Sequence, residues 1–236
     1  MIELSLKLRK YGRITLEKMG LLELFLDIFT FYRNIRPLSR LDNIYDCNYI
    51  SNYGYDSAED LRLKESQARE ISRLLSPRKV LVAGCAQGNA VLAFHHLGIE
   101  AWGFDIIPSA LPEDHFLRTY IKQGSILNIP FSREDHFDTF VCTDVFEHIY
   151  LKDIPQMVNE IYRIGADSLA LIINHDGLYK GHVTLKPLKW WARQFDGKYR
   201  LSDKIKTPLV PGTYGFDPAC GRNHFTFWER WNKNPF

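Results

Sequence analysis

The stretch VLVAGCAQGNAV, Val80 to Val91, runs a β-branched apolar segment straight into Gly84, then Gly88, then a helix-forming sequence. A glycine there lets the chain turn sharply off a strand and lets a ligand approach the backbone closely. The pattern predicts a strand, a tight turn and a helix, with the turn at the carboxyl end of a parallel strand, where ligands bind in open α/β sheets. No Gly-Lys-Ser/Thr follows, so the turn is not a P-loop, and Ala86 stands where the dinucleotide fingerprint has its middle glycine.

The flanking sequence repeats this rhythm. From Ser57 to Leu75 apolar residues recur at helical spacing, and Ser76-Pro77 ends the segment. Short apolar runs at Val80–Ala83, Ala101–Phe104, Thr119–Ile121, Thr139–Thr143 and Ser168–Asn174 read as strands, with helices at Asn89–Leu97 and Ile154–Ile164 between them. This βαβα alternation predicts an α/β fold, a Rossmann-like doubly wound and mostly parallel sheet with helices on both faces. Residues 1–56 read as an N-terminal helical extension and lid, 57–175 as the ligand-binding core, and 176–236 as C-terminal strands and an aromatic, substrate-facing cap.

Composition narrows the setting. With 45% hydrophobic and 25% charged residues over 236 positions, the chain is neither disordered nor fibrous. The longest apolar run, Leu21 to Tyr32, contains Glu23 and Asp27, which argues against both a membrane span and a secretion signal. Cys47, Cys85, Cys142 and Cys220 are widely spaced, so neither a disulfide framework nor a thiolate zinc site is expected, and a cytoplasmic location is. Residues 1–40 carry 8 basic and 4 acidic groups, residues 41–175 carry 11 and 19, and residues 176–236 carry 11 and 5. Basic arms around an acidic body suit an anionic partner: a phosphorylated substrate, a nucleic acid or a membrane surface touched peripherally.

Two further elements sharpen the ligand. Asp105 ends the second predicted strand, 21 positions after Gly84, where a carboxylate can accept hydrogen bonds from both ribose hydroxyls of an adenosine. The strand Phe140-Val141-Cys142 leads to a polar cluster, Asp144, Glu147 and His148, just past its carboxyl end. The order VLVAGCAQG, WGFDI, QGSILNIPF, FDTFVCTDVFEHI, SLALIINH resembles a class I S-adenosylmethionine-dependent methyltransferase, over roughly Arg78 to His175. It is most similar to the branch acting on small molecules and glycans.

The resemblance implies the seven-stranded fold of that family. It implies that Gly84, Cys85, Ala86 and Gly88 shape the pocket for the methionine part of the cofactor. Asp105 and Ile106 would then hold the ribose, Ser125 and Ile126 would lie beside the adenine, and Asp144 would lie near the methionine or the substrate. Three positions depart from the family pattern: Val82 replaces an acidic residue, Ala86 a glycine and Ser125 an aspartate.

A sulfonium carries its methyl on a good leaving group, so in-line placement of a nucleophile supplies much of the acceleration, and a hydroxyl nucleophile also needs a base. His148, His175 and His182 are the candidate bases, because each lies beyond a predicted strand end and imidazole titrates near neutrality. Some methyltransferases with a similar Asp-x-x-Glu-His pattern and a distant histidine use Mg²⁺. A capping role for Glu147-His148 is the preferred reading, so no metal ligand is assigned. Tyr45, Tyr49, Tyr53 and Tyr55 resemble an aromatic cofactor lid, and Trp190-Trp191 resembles a sugar-stacking pair.

The expected activity is S-adenosylmethionine-dependent O-methylation of a sugar, glycan precursor or other small metabolite, with S-adenosylhomocysteine (SAH) as the second product. Metal-assisted RNA methylation is the alternative enzyme reading, with nucleic acid the less favoured partner. A binding protein that keeps the pocket without catalysis is the third.

Overall fold

The computed structural model describes residues 21–35, 54–55, 57–107, 112, 114–174, 181–202 and 225–231. Helix α1 (Leu22–Ile35) precedes α2 (Ala58–Leu75). Then follow β1 (Lys79–Ala83), α3 (Asn89–His96), β2 (Glu100–Asp105), α4 (His115–Tyr120) and β3 (Ile121–Gln123). After them come β4 (Thr139–Thr143), α5 (Ile154–Ile164), β5 (Ser168–Ile172), α6 (Leu188–Gln194), β6 (Tyr199–Leu201) and β7 (Thr226–Arg230). The seven strands form one sheet in the order β3-β2-β1-β4-β5-β7-β6. The first five are parallel, and β7 runs antiparallel to both β5 and β6. The chain leaves β1 toward β2 and β3, then crosses back to β4, so the strand order reverses between β1 and β4. In open α/β sheets that reversal is where ligands bind.

Parallel strands covered on both faces must be apolar on both, and β1 (KVLVA) and β4 (TFVCT) are. Leu81, Ala83, Phe140, Cys142, Leu169 and Leu171 face one core, and Val80, Val82, Val141, Ala170 and Ile172 face the other. The first core is closed by α5, whose Ile154, Met157, Val158, Ile161 and Ile164 recur at helical spacing and are all buried. Gly165, left-handed at φ 85°, ends that helix. The second core is closed by α2 and α3. Helix α2 starts where the Ser57 side chain accepts a hydrogen bond from the Asp60 N–H (3.1 Å), and Ser76 ends it in the left-handed region (φ 48°).

Two sequence expectations are corrected. Thr119-Ile121 was expected to be a strand; residues 119 and 120 instead finish α4. The Asp114 carboxylate accepts from the Phe116 and Leu117 N–H groups (2.7 and 3.1 Å), starting a helix that β-branched propensity at its far end does not undo. The Trp190-Trp191 pair was expected to face a sugar. Trp191 is instead fully buried in the first core, its ring 5.4 Å from that of Phe146, and Trp190 packs edge-on against it at 4.9 Å. The aromatic C-terminal third supplies core, with Tyr199 and Trp228 in the same cluster. Among the described residues no helix is long and apolar enough to cross a membrane.

If Trp191 is a core residue, Trp191→Ala should cost about 3–5 kcal/mol in chemical denaturation. Trp191→Phe should cost far less, because the indole N–H that it removes has no acceptor among the described residues.

Candidate functional site

A cavity of about 480 Å³ opens at the carboxyl edge between β1, β2 and β4. Its floor is the turn after β1. The Gly84 and Cys85 N–H groups both donate to the Phe104 carbonyl (2.9 and 3.2 Å), tying the turn to β2. Gly84 sits at φ 65°, and a Cβ there would lie 2.5 Å from Val145 Cγ2, so a side chain would close the gap between the β1 and β4 loops. Ala86, left-handed at φ 46°, carries mild strain for a residue with a Cβ. Its N–H is held by Asp105 Oδ2 at 2.8 Å.

Asp105 is the hub of this end. Oδ2 accepts from Ala86 N–H, Oδ1 accepts from Ile107 N–H (3.0 Å), and both oxygens retain lone pairs for further donors. Burial pushes its pKa above the usual carboxylate value, and the backbone N–H bonds oppose that shift. Ile106, Ser125 and Ile126 complete this wall. Ser125 Oγ accepts from the Leu127 N–H (3.1 Å), stiffening the turn that follows β3. Cys85 also lines the cavity, its thiol pushed to high pKa by burial and by Asp105, which leaves it unreactive. Gly88, expected at the cavity, is absent from its lining. A Cβ there would meet Ile121 Cδ1 at 2.4 Å, so this glycine lets α3 pack on β3.

The opposite end carries the polar groups after β4. Asp144, at φ 56°, and His148 line the cavity. Burial raises the Asp144 pKa, and the Lys64 charge and the Asn174 side chain oppose the rise. His148 Nδ1 lies 3.1 Å from the Gly181 carbonyl, an acceptor only, so Nδ1 carries the proton and Nε2 keeps its lone pair. Burial and His182 push the His148 pKa down to about 3, which favours the neutral ring at physiological pH. His182 is buried, with its ring 4.7 Å from that of His148, but it lines no part of the cavity. His175 lies outside the described residues, as do Tyr45, Tyr49 and Tyr53; Tyr55 lines the cavity.

Glu147 was expected to cap a helix. It caps no described helix: it is fully buried, and among the described residues neither carboxylate oxygen has a hydrogen-bond partner. Its Oε1 lies 3.9 Å from His182 Nε2, and one ligand atom from each of Glu147, His148 and His182 falls within 4.8 Å of the others. Burial and the Asp144 charge push the Glu147 pKa well up, and the backbone amides of Glu147 and Asn174 offset this only in part.

Sequence reasoning missed Asp60 and Lys64, one helical turn apart on α2, which both line the cavity. Asp60 Oδ2 accepts from Asn89 Nδ2 (2.8 Å), locking α2 to the start of α3, and Lys64 Nζ lies 3.5 Å from Thr143 Oγ1. The sequence offered no signal for them, because α2 also carries Glu59, Arg62, Glu65, Arg69, Glu70 and Arg73, and two more charges at i, i+4 do not stand out.

Residues 81–168 match the family model of a methyltransferase domain. Among solved structures, the chain is similar to a Methanococcus maripaludis protein assigned as an S-adenosyl-L-methionine-dependent methyltransferase. That match has a TM-score of 0.58 at 10% identity, covering 84% of this chain and 100% of that one. It is also similar to magnesium protoporphyrin IX methyltransferase from Synechocystis with bound SAH, with a TM-score of 0.55 at 13% identity, covering 94% and 99%. A Pyrococcus horikoshii protein matches with a TM-score of 0.57 at 13% identity, covering 81% and 97%. No curated protein matches the sequence. The seven-stranded sheet is the class I methyltransferase fold. The cofactor of such a domain is S-adenosylmethionine, and the cavity fits it: a carboxylate with spare lone pairs, a floor that a Cβ would fill and apolar walls.

An acid with a raised pKa in the folded state keeps its proton where the unfolded chain has lost it, so its contribution to stability falls as pH rises above the ordinary glutamate value. The metal-free wild type should therefore lose stability relative to Glu147→Gln between about pH 4.5 and neutrality. Parallel denaturation curves across that range would show a gap that widens with pH; a constant gap would mean that the carboxyl ionises normally.

Proposed function

We propose that this protein is an S-adenosylmethionine-dependent methyltransferase acting on an oxygen of a small hydroxyl-bearing metabolite. The observation that carries the reading is the placement of Asp105, with lone pairs to spare, at one end of a 480 Å³ cavity whose other end holds Asp144 and His148. Asp105 would accept the ribose hydroxyls, while Ser125 and Ile126 would flank the adenine. When bound, the cofactor supplies an electrophilic methyl group. His148 Nε2, with its lone pair kept by the Nδ1 contact to Gly181, would accept a hydrogen bond from the acceptor hydroxyl and orient it. Val145 and Ile149 would exclude water around the reacting atoms. The buried Trp191 removes the stacking argument for a carbohydrate, so sugars stand level with other hydroxylated metabolites.

SAH binding should weaken at least about tenfold in Asp105→Ala, because two charge-assisted hydrogen bonds are lost. Calorimetry on both proteins would test it. Wild-type binding should also weaken as pH falls through the raised Asp105 pKa. No wild-type binding at millimolar SAH would refute the assignment.

A second reading, a metal-assisted form of the same reaction, is favoured by the Glu147 carboxylate, which makes no hydrogen bond among the described residues and has a ligand atom within 4.8 Å of one on each of His148 and His182. Two nitrogens and one carboxylate oxygen suit Zn²⁺, Mn²⁺ or Fe²⁺ better than the Mg²⁺ considered from sequence, since Mg²⁺ prefers oxygen ligands. The Gly181 carbonyl on His148 Nδ1 is the outer partner that ligating histidines characteristically have. Elemental analysis after equilibration with these ions should find one per chain in the wild type, and at least about tenfold weaker retention in Glu147→Gln. Equal retention, or full turnover in excess chelator, would remove the metal.

A further inference from the structure

Helix α1 has two faces of opposite character. Leu26 and Thr30 are buried and Asn34 is half-buried, all within one narrow arc. Thr30 Oγ1 donates to the Leu185 carbonyl (3.1 Å) and accepts from the Leu185 N–H (2.9 Å). Asn34 Nδ2 donates to the Val183 carbonyl (2.9 Å), and Asn34 Oδ1 accepts from the Leu151 N–H (2.8 Å). Lys186 pairs with Asp27 at 2.7 Å. The helix is thus fastened by polar bonds to the two segments that flank the His148–His182 cluster.

The other face is apolar and open. Leu24, Phe25, Ile28, Phe31, Tyr32 and Ile35 are between 38% and 64% exposed, and at 100° per residue they occupy one arc opposite the buried face, with no charged side chain inside it. Soluble monomers seldom leave so many large apolar groups contiguous and more than a third exposed. The 14-residue helix is too short to span a bilayer, so its apolar face suits lying in an interface. Charge favours the same occupant. Five Lys or Arg residues precede α1 and three more lie in its last turn or within five residues after it, which makes residues 1–40 the basic arm described above. The Tyr32 phenol belongs to a residue type that favours the headgroup level, and Phe and Leu are usual on the apolar face of interfacial helices.

We infer that the outer face of α1 is a docking surface for an anionic lipid bilayer. A bilayer seated there lies about one helix diameter, roughly 10 Å, from the segments that carry His148 and His182. The surface is independent of the chemistry proposed for the cavity, and its test does not use turnover.

Full-length protein should co-float with vesicles of phosphatidylcholine plus phosphatidylglycerol, at least about tenfold more tightly than with phosphatidylcholine alone, and high salt should weaken the binding. The double variant Ile28→Asp/Phe31→Asp, at the two most exposed positions, should lose at least about tenfold in vesicle affinity while SAH binding stays within about twofold of wild type. Light scattering on both proteins distinguishes a protein partner. A wild-type dimer that the double variant turns into a monomer, without vesicle binding, would assign the face to a second copy and overturn the proposal. Equal binding to neutral vesicles, or none, would overturn it as well.

Discussion

The bond between Asp105 Oδ2 and the Ala86 N–H, 2.8 Å long, joins the loops at the ends of β1 and β2, and the cavity depends on it. Without that bond the turn after β1 would keep its two Phe104 contacts and its own Gly88–Cys85 bond, with a left-handed alanine in it to relax. With it, one carboxylate fixes the floor and remains able to accept more donors. The cost is partial burial of a charge, visible in its raised pKa, which the backbone N–H groups moderate. A ligand that brings further hydroxyl donors would lower that pKa again, so the Asp105 hub favours polyhydroxylated partners.

The two ends of the cavity handle buried carboxyls differently. Asp105 is satisfied by neighbouring amides, and Asp144 has the Lys64 charge and the Asn174 side chain near it. Glu147 makes no side-chain hydrogen bond among the described residues, the amides of Glu147 and Asn174 offset its burial only in part, and its carboxyl is fully buried beside the neutral His148 ring. A group that costs stability and makes no structural bond is hard to explain as scaffold. Such an arrangement makes sense when the group serves a ligand that the folded chain meets later.

Legibility followed burial and local spacing. Strands β1, β2 and β4 were readable because they are covered on both faces and therefore continuously apolar, and α5 because one stripe of five residues carries its burial. Strands β6 and β7 gave weaker signals: one is three residues long, and the other pairs antiparallel at the far side of the sheet with only Phe227 and Trp228 buried. Asp105 could be found from its distance to Gly84, since both lie on a chain path of nearly fixed geometry. The neighbourhood of Glu147 could not, because His182 reaches it across 34 intervening residues through the 181–185 segment, where the Val183 and Thr184 N–H groups grip the Glu147 carbonyl (2.8 and 3.0 Å). Trp191 was misread because an aromatic pair in a basic, aromatic-rich tail looks alike in sequence whether it packs inward or outward.

The three departures from the family pattern now have physical meanings. Val82 lines the cavity as an apolar surface, only 4% exposed, so no charge is buried at that point of the wall. Ser125 spends its oxygen on the Leu127 N–H, which stabilises the turn but offers no anion. Ala86 accepts a left-handed backbone in return for a fixed N–H on Asp105. Two positions where the resemblance led us to expect carboxylates thus carry neutral groups, and electrostatic recognition at this end of the cavity falls on Asp105. A site of that kind gains less from charge and more from the apolar contacts of Val82, Ile106 and Ile126, which makes its affinity less sensitive to salt than that of a site ringed by acids.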